Sequence, residues 1–288
     1  MAESPPPSAR FVGVDLAGSP ERTGVAILTL RGSRAEVTSP PEVFVADDVG
    51  LVEVVDSTTT VGVDAPLGWP DDFVEAVAAH SALSRWPMHE EGRARPSRER
   101  LRYRQTDLFV KALDLGSTPL SVSSDLIAVV AMRAAWLQSA WITRWGDLEP
   151  RDGSGRLVET YPAAALRAWG FLAPRGVRYK GGRTADRREE ERLERERMVA
   201  ELEDRASSWL DLSPELRFDA VRSDHVFDAL VSALVALASA SQLTHRVPDE
   251  YAEVALREGW IHVPSTVFEA LGVAVRPSRR RRAARAPR

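Results

Sequence analysis

The residues of this chain that could do chemistry are a set of acids and one imidazole placed in otherwise apolar stretches. Asp15 ends "FVGVD", Asp64 ends "TTTVGVD", Glu159 closes "GRLVE", and Asp224, His225 and Asp228 share "SDHVFDAL". The first three lie at the carboxyl ends of predicted inner strands, the end of an open sheet outside which ligands gather. Asp224 and Asp228 are four residues apart and share one helix face, with His225 close to it. Carboxylates that converge in one cleft repel each other and need a positive partner, and hard oxygen ligands are what magnesium or manganese takes. Two such ions about 3.5 to 4 Å apart can activate a water on one side of a phosphodiester and stabilise the leaving oxygen on the other.

The same residues have plainer uses. Asp15 before a glycine-containing turn fits an Asx turn, Asp64 a loop cap, Asp224 a helix N-cap, Glu159 a partner for Arg156, and His225 a packing position. Asp228 is the hardest to assign to structure alone. It interrupts "VF" and "ALVSALVAL", where burial without a partner is costly.

The elements that must position these groups follow from the apolar patterning. Strands are expected over residues 11 to 15, 25 to 30 and 42 to 45, the first two joined as a hairpin, with a short amphipathic helix near 47 to 57. "TTTVGVD" reads as an inner parallel strand because both faces are apolar. Helices are expected over 71 to 83, over 123 to 146 behind a Ser or Asp cap, after a strand through Glu159 with Pro162 in the first turn, and over 223 to 240. Residues 85 to 106 form a basic excursion. Residues 171 to 222 hold a highly charged helix with a thin apolar seam at Leu193, Met198, Val199 and Leu202, and with Glu191 and Arg195 set for an i,i+4 pair. The order predicts an α/β fold, a mixed sheet flanked by helices. No G-x-G-x-x-G leads from a strand into a helix, so a dinucleotide-binding unit is not expected.

Composition narrows the function. The 288 residues are 44% hydrophobic, enough for one large core, and contain no cysteine, which excludes disulfides, thiolate zinc sites and cysteine nucleophiles. A net charge of -4 argues against coating nucleic acid over the whole surface but leaves room for a local basic groove. No run reaches the roughly 18 apolar residues of a membrane span, and a cytoplasmic protein without membrane contact is expected. The first ten residues and the arginine-rich segment 276 to 288 read as disordered, the latter a basic tail.

Five stretches together resemble a known family: "GVDLAGSPERTGVAI", "VGVDAPLGWP", "RQTD", "ETYPAA" and "HVFDALVSAL". The chain is similar to the domain of unknown function 429 family, whose members are expected to have the RNase-H-like fold in a layout similar to resolvases of the RuvC type. The resemblance implies one RNase-H-like domain over residues 11 to 275 with elaborations at about 85 to 106 and 171 to 222. It implies a metal site on the first Asp of the opening hairpin, the acid ending the fourth strand and an acid of the last core helix, here Asp15, Asp64 and Asp228. His225 falls where that pattern usually has a second acid, so either Asp224 substitutes or His225 takes a metal-facing or general-acid role.

The expected activity is therefore Mg2+- or Mn2+-dependent hydrolysis of DNA or RNA phosphodiesters, with Asp224 or Glu159 completing the metal site and a homodimer left open. Arg102, Arg104, Arg178 and Lys180 are expected to meet substrate phosphate, a task for which the planar arginine fork is suited. Arg104 and Asp107 of "RQTD" either pair with one another or line the cleft. Two other readings stand beside this one. "DLAGSPERTG" also resembles the phosphate hairpin of actin-like ATPases and sugar kinases, and a binding or scaffold protein would keep the fold without the ions.

Overall fold

The computed structural model describes residues 9–41, 44–84, 98–116, 118–146, 149–173 and 178–276. Most of the expected N-terminal segment, the greater part of the basic excursion and the tail from 277 onward lie outside them. The chain opens with β1 (Arg10–Asp15), β2 (Gly24–Arg31) and β3 (Arg34–Thr38), a meander whose second turn uses Gly32 at φ +66°. It continues through α1 (Asp48–Glu53), β4 (Thr59–Asp64), α2 (Asp71–Ser81), α3 (Arg98–Arg102) and α4 (Gln105–Ala112). Then come α5 (Ala128–Trp145), β5 (Leu157–Glu159), α6 (Pro162–Ala168) and the long α7 (Ala185–Ala206). The rest is β6 (Leu210–Leu212), α8 (Pro214–Arg222), α9 (Asp224–Ala240), α10 (Ala252–Glu258) and α11 (Ala270–Val275).

The six strands form one mixed sheet in the order β5-β4-β1-β2-β3-β6. Only β2 runs antiparallel to its neighbours, while β4 joins β1, β5 joins β4 and β6 joins β3 in parallel. Alternation along the inner strands separates two cores. Val12, Val14, Val61 and Val63 face Ala134, Leu137 and Trp141 of α5. Phe11 and Leu28 face the other way, onto the apolar body of α9 and the seam Met198, Val199 and Leu202 of α7. Burying each such aliphatic side chain stabilises the fold by about 1.5 to 3 kcal/mol. No helix among the described residues is long and apolar enough to cross a membrane.

Four sequence expectations change. The third strand is Arg34–Thr38; of the expected 42 to 45, residues 42 and 43 lie outside the described residues, and 44 and 45 are in no strand. The period of two over 34–38, with Ala35 and Val37 buried between polar neighbours, marks a half-buried strand. Helix α5 begins at Ala128, not near 123, because the Ser/Asp cluster ahead of it is used elsewhere: the hydroxyls of Ser121 and Ser123 donate to the carbonyls of Arg102 and Leu101. Leu193 is exposed, so the apolar part of α7's buried stripe starts at Met198, and Glu191 and Arg195, both buried, bond not to each other but to the neighbouring backbone.

Candidate metal centre

Asp15 and Asp64 are brought together by strand register. In the parallel pair β1–β4, Asp15 lies opposite Asp64 and Gly13 opposite Gly62, so the two carboxylates leave the sheet at one level from strands about 4.8 Å apart. Helix α9 supplies the third acid, and glycines set how closely it can lie. A Cβ on Gly13 would sit 1.9 Å from the Ala229 carbonyl oxygen, one on Gly62 2.3 Å from that of Ser232, and one on Gly24 2.0 Å from that of His225. Bare backbone under the first half of α9 lets it dock directly on the strands, which lowers Asp228 onto the strand ends. Asp15, Asp64 and Asp228 each offer one oxygen, and the three oxygens lie within 4.8 Å of one another.

Asp228 is only 1% exposed, yet both its oxygens are satisfied. The Tyr179 hydroxyl donates to Oδ1 at 3.0 Å and the Lys180 ammonium donates to Oδ2. Burial pushes its carboxyl up to about 6 against the pull of Lys180. Burial raises Asp64 well above its ordinary value, Lys180 opposes the shift, and the charges of Asp15 and Asp228 add to it. The site thus accumulates negative charge that burial disfavours, the condition a divalent cation relieves. All donors are carboxylate oxygens, a set that fits a hard ion such as magnesium or manganese.

Tyr179 and Lys180 sit on the strap leading into α7, and α7 fixes that strap. The Glu191 carboxylate accepts from the Gly182 amide at 2.9 Å, and the Arg195 guanidinium donates to the carbonyls of Tyr179, Val221 and Arg222. Sequence reasoning missed Tyr179; its signal was an aromatic directly before the lysine in "RYKGG", a residue type with an apolar body and a polar tip. Because Lys180 is the ammonium paired with Asp228, Lys180→Met is expected to lower stability by about 1 to 2 kcal/mol, discounted for an ammonium side chain 38% exposed. Manganese should restore the melting temperature, since the ion replaces the lost charge. Thermal melts with and without the ion check this; a loss that manganese leaves unrepaired would show that Lys180 holds only the fold.

His225 lies beside the triad, its Nδ1 2.6 Å from Asp15 Oδ2. That bond raises the imidazole above its ordinary value. The raised value stabilises the fold below about pH 6.5 and the contribution fades as pH climbs through the folded-state value.

The remaining expected site residues lie apart from the triad point. Asp224 is not the cap of α9, a role Ser223 takes by accepting from the Val226 amide; its carboxylate stands half-exposed, 4.0 Å from His225 Nε2. Arg178 is exposed on the strap, and Arg102 is exposed with its Nε donating to Ser124. Glu159 and Arg104 meet each other. The Arg104 guanidinium, 2% exposed, donates to both Glu159 oxygens at 2.8 and 2.7 Å, to both Asp107 oxygens and to the Glu258 carbonyl. Glu159 also accepts from the Leu67 amide. The stretches "RQTD" and "ETYP" are thus two halves of one buried ionic lock. Glu159 holds the chain after β4 through the Leu67 amide and is committed to Arg104, whose fork is fully used by protein acceptors. Both still border, with Asp15, Asp64 and Lys180, a cleft of about 350 Å³ beside the triad.

A family model described as "Protein of unknown function (DUF429)" matches residues 13–253. No curated protein and no solved structure matches the chain.

Proposed function

The chain belongs to the family of unknown function DUF429, which assigns no chemistry, and from the site itself we propose that the protein is a divalent-metal-dependent nuclease that hydrolyses nucleic-acid phosphodiesters. The observation that carries the reading is the convergence of Asp15, Asp64 and Asp228, from two register-paired strand ends and one helix, on a point where all three oxygens lie within 4.8 Å. A magnesium or manganese ion held there would supply Lewis-acid chemistry for the attack of water on phosphorus. The protein's own groups do the rest. Asp15, Asp64 and Asp228 hold the ion, Tyr179 and Lys180 fix the rotamer of Asp228, and Lys180 borders the cleft with an ammonium suited to a phosphate oxygen. His225, with one nitrogen on Asp15 and half-exposed, is placed to take or give a proton at the entrance.

The geometry favours this reading over an actin-like ATPase. There the acid of the opening hairpin works with a second phosphate hairpin, whereas here the acid's partners come from β4 and α9. The test is cleavage of end-labelled single-stranded, duplex and branched oligonucleotides by the purified protein with manganese, with magnesium and with chelator. Ion-dependent cleavage of any of them supports the proposal. A protein that binds the ion and cuts none of them sinks it.

A further inference from the structure

Next to the triad, beyond His225, a groove of about 670 Å³ runs between the strap, α7 and the α8–α9 junction. Five arginines and three carboxylates line it, a local positive balance in a chain whose net charge is -4. The carboxylates are largely committed: Glu189 pairs with Arg192, Glu191 accepts from the Gly182 amide, and Asp224 lies beside His225. Among the arginines, Arg192 is paired and Arg195 is buried on backbone carbonyls. Arg22, Arg188 and Arg222 are exposed and form no ion pair with any described residue. The groove continues past Arg192 and Arg222 into a second hollow of about 530 Å³, where Phe218 is 59% exposed with the Arg222 guanidinium 5.0 Å above its ring.

Three exposed guanidinium groups without a carboxylate partner among the described residues, Arg188 reaching only the carbonyls of Thr184 and Arg183, in a groove that leads to an exposed aromatic ring fit a backbone of phosphates with unpaired bases, since every base offers a face to stack. A duplex keeps its bases inside and leaves the ring without a partner. We propose that this groove binds a single, unpaired polynucleotide strand, its phosphates on Arg22, Arg188 and Arg222 and a base on Phe218, and delivers it past His225 to the acidic triad. The inference rests on the nuclease reading for its purpose, but the binding itself needs no metal.

The test is fluorescence anisotropy in chelator with labelled single-stranded DNA and RNA of mixed sequence and the matching DNA duplex. The parent is expected to bind single strands more tightly than the duplex, and the two single-strand arms tell which sugar is preferred. Phe218→Ala should weaken binding by about fivefold or more. Arg222→Ser should weaken it as well, while Arg144→Ser, the same charge change on the exposed surface of α5, should not. The combined Arg22→Ser, Arg188→Ser and Arg222→Ser variant should reduce the slope of log affinity against log salt by about 2. Thermal melts and manganese titration of the variants should match the parent, since none of these side chains meets the triad. A combined variant that binds like the parent, a parent that prefers the duplex, or a parent that binds no strand would overturn the proposal. Strand binding by a protein that takes up no manganese would leave the groove standing and remove the nuclease reading.

Discussion

Asp64→Asn is expected to weaken manganese binding by about a hundredfold or more, since even losing an outer partner of a metal ligand commonly costs 10- to 100-fold, and to abolish any ion-dependent cleavage. It is the cleanest of the three acids to change. Asp228 holds Tyr179 and Lys180, and Asp15 holds His225, so their amides disturb other bonds. Removing the Asp64 charge relieves a strain instead. An acid whose folded-state pKa stands above its unfolded value binds more protons when folded, so it opposes folding as pH rises through that interval and beyond. Asp64 is such an acid, raised by burial and by its two neighbours. The variant should therefore melt at or above the parent's temperature at pH 7 without metal while losing the ion, the opposition of stability and function expected of a site built for a ligand. Asp64 and Asp228, the latter pushed up to about 6, add a pH signature: in the parent, ion affinity should fall as pH drops, because protons compete for Asp64 and, from about 6 downward, for Asp228 as well. Calorimetric titration between pH 5 and 8 on parent and variant measures both effects. An Asp64→Asn protein that binds manganese like its parent would refute the centre.

The triad was legible because each of its members breaks a strong pattern. Asp15 and Asp64 end apolar runs that only inner strands explain, and Asp228 interrupts a helix apolar nearly all round. The strands β1, β2 and β4 and helix α9 followed from the same runs. What was not legible depends on partners distant in sequence. β6 is three residues long and exists because Ala35 and Val37 offer it an edge, and no local period announces so short a strand. Glu159 ends a strand as Asp15 and Asp64 do, yet it serves the fold, because a guanidinium 55 positions away in sequence reaches it. Spacing could place the acids at one end of the sheet; it could not say which of them arginine would claim. Asp224 lies outside the triad for a simpler reason. One turn before Asp228 on α9, it projects beyond the strand ends toward the arginine groove.

The second large effect is expected at that claimed acid's partner. Arg104→Met should destabilise the protein by about 3 to 5 kcal/mol, because it strands Glu159 and Asp107 as buried carboxylates without their cation. The lock joins the start of α4, the end of β5, the loop after β4 and the carbonyl of Glu258, so the loss should appear as one cooperative shift in urea unfolding at pH 7. Arg104→Lys should recover only part of it, since one ammonium cannot serve two bidentate carboxylates and a carbonyl in the guanidinium plane. The sequence alone suggested that Arg104 grips substrate phosphate, and the same variant separates the two roles. If the arginine serves the fold, Arg104→Met protein that remains folded at low temperature keeps the parent's ion affinity and loses chiefly stability. If it serves substrate, unfolding is unchanged and strand affinity falls. The side chain is 2% exposed and all its bonds go to protein, which commits the prediction to the first outcome: the lock keeps β5 and the loop after Asp64 in place, and through that loop it holds one wall of the cleft in which the triad works.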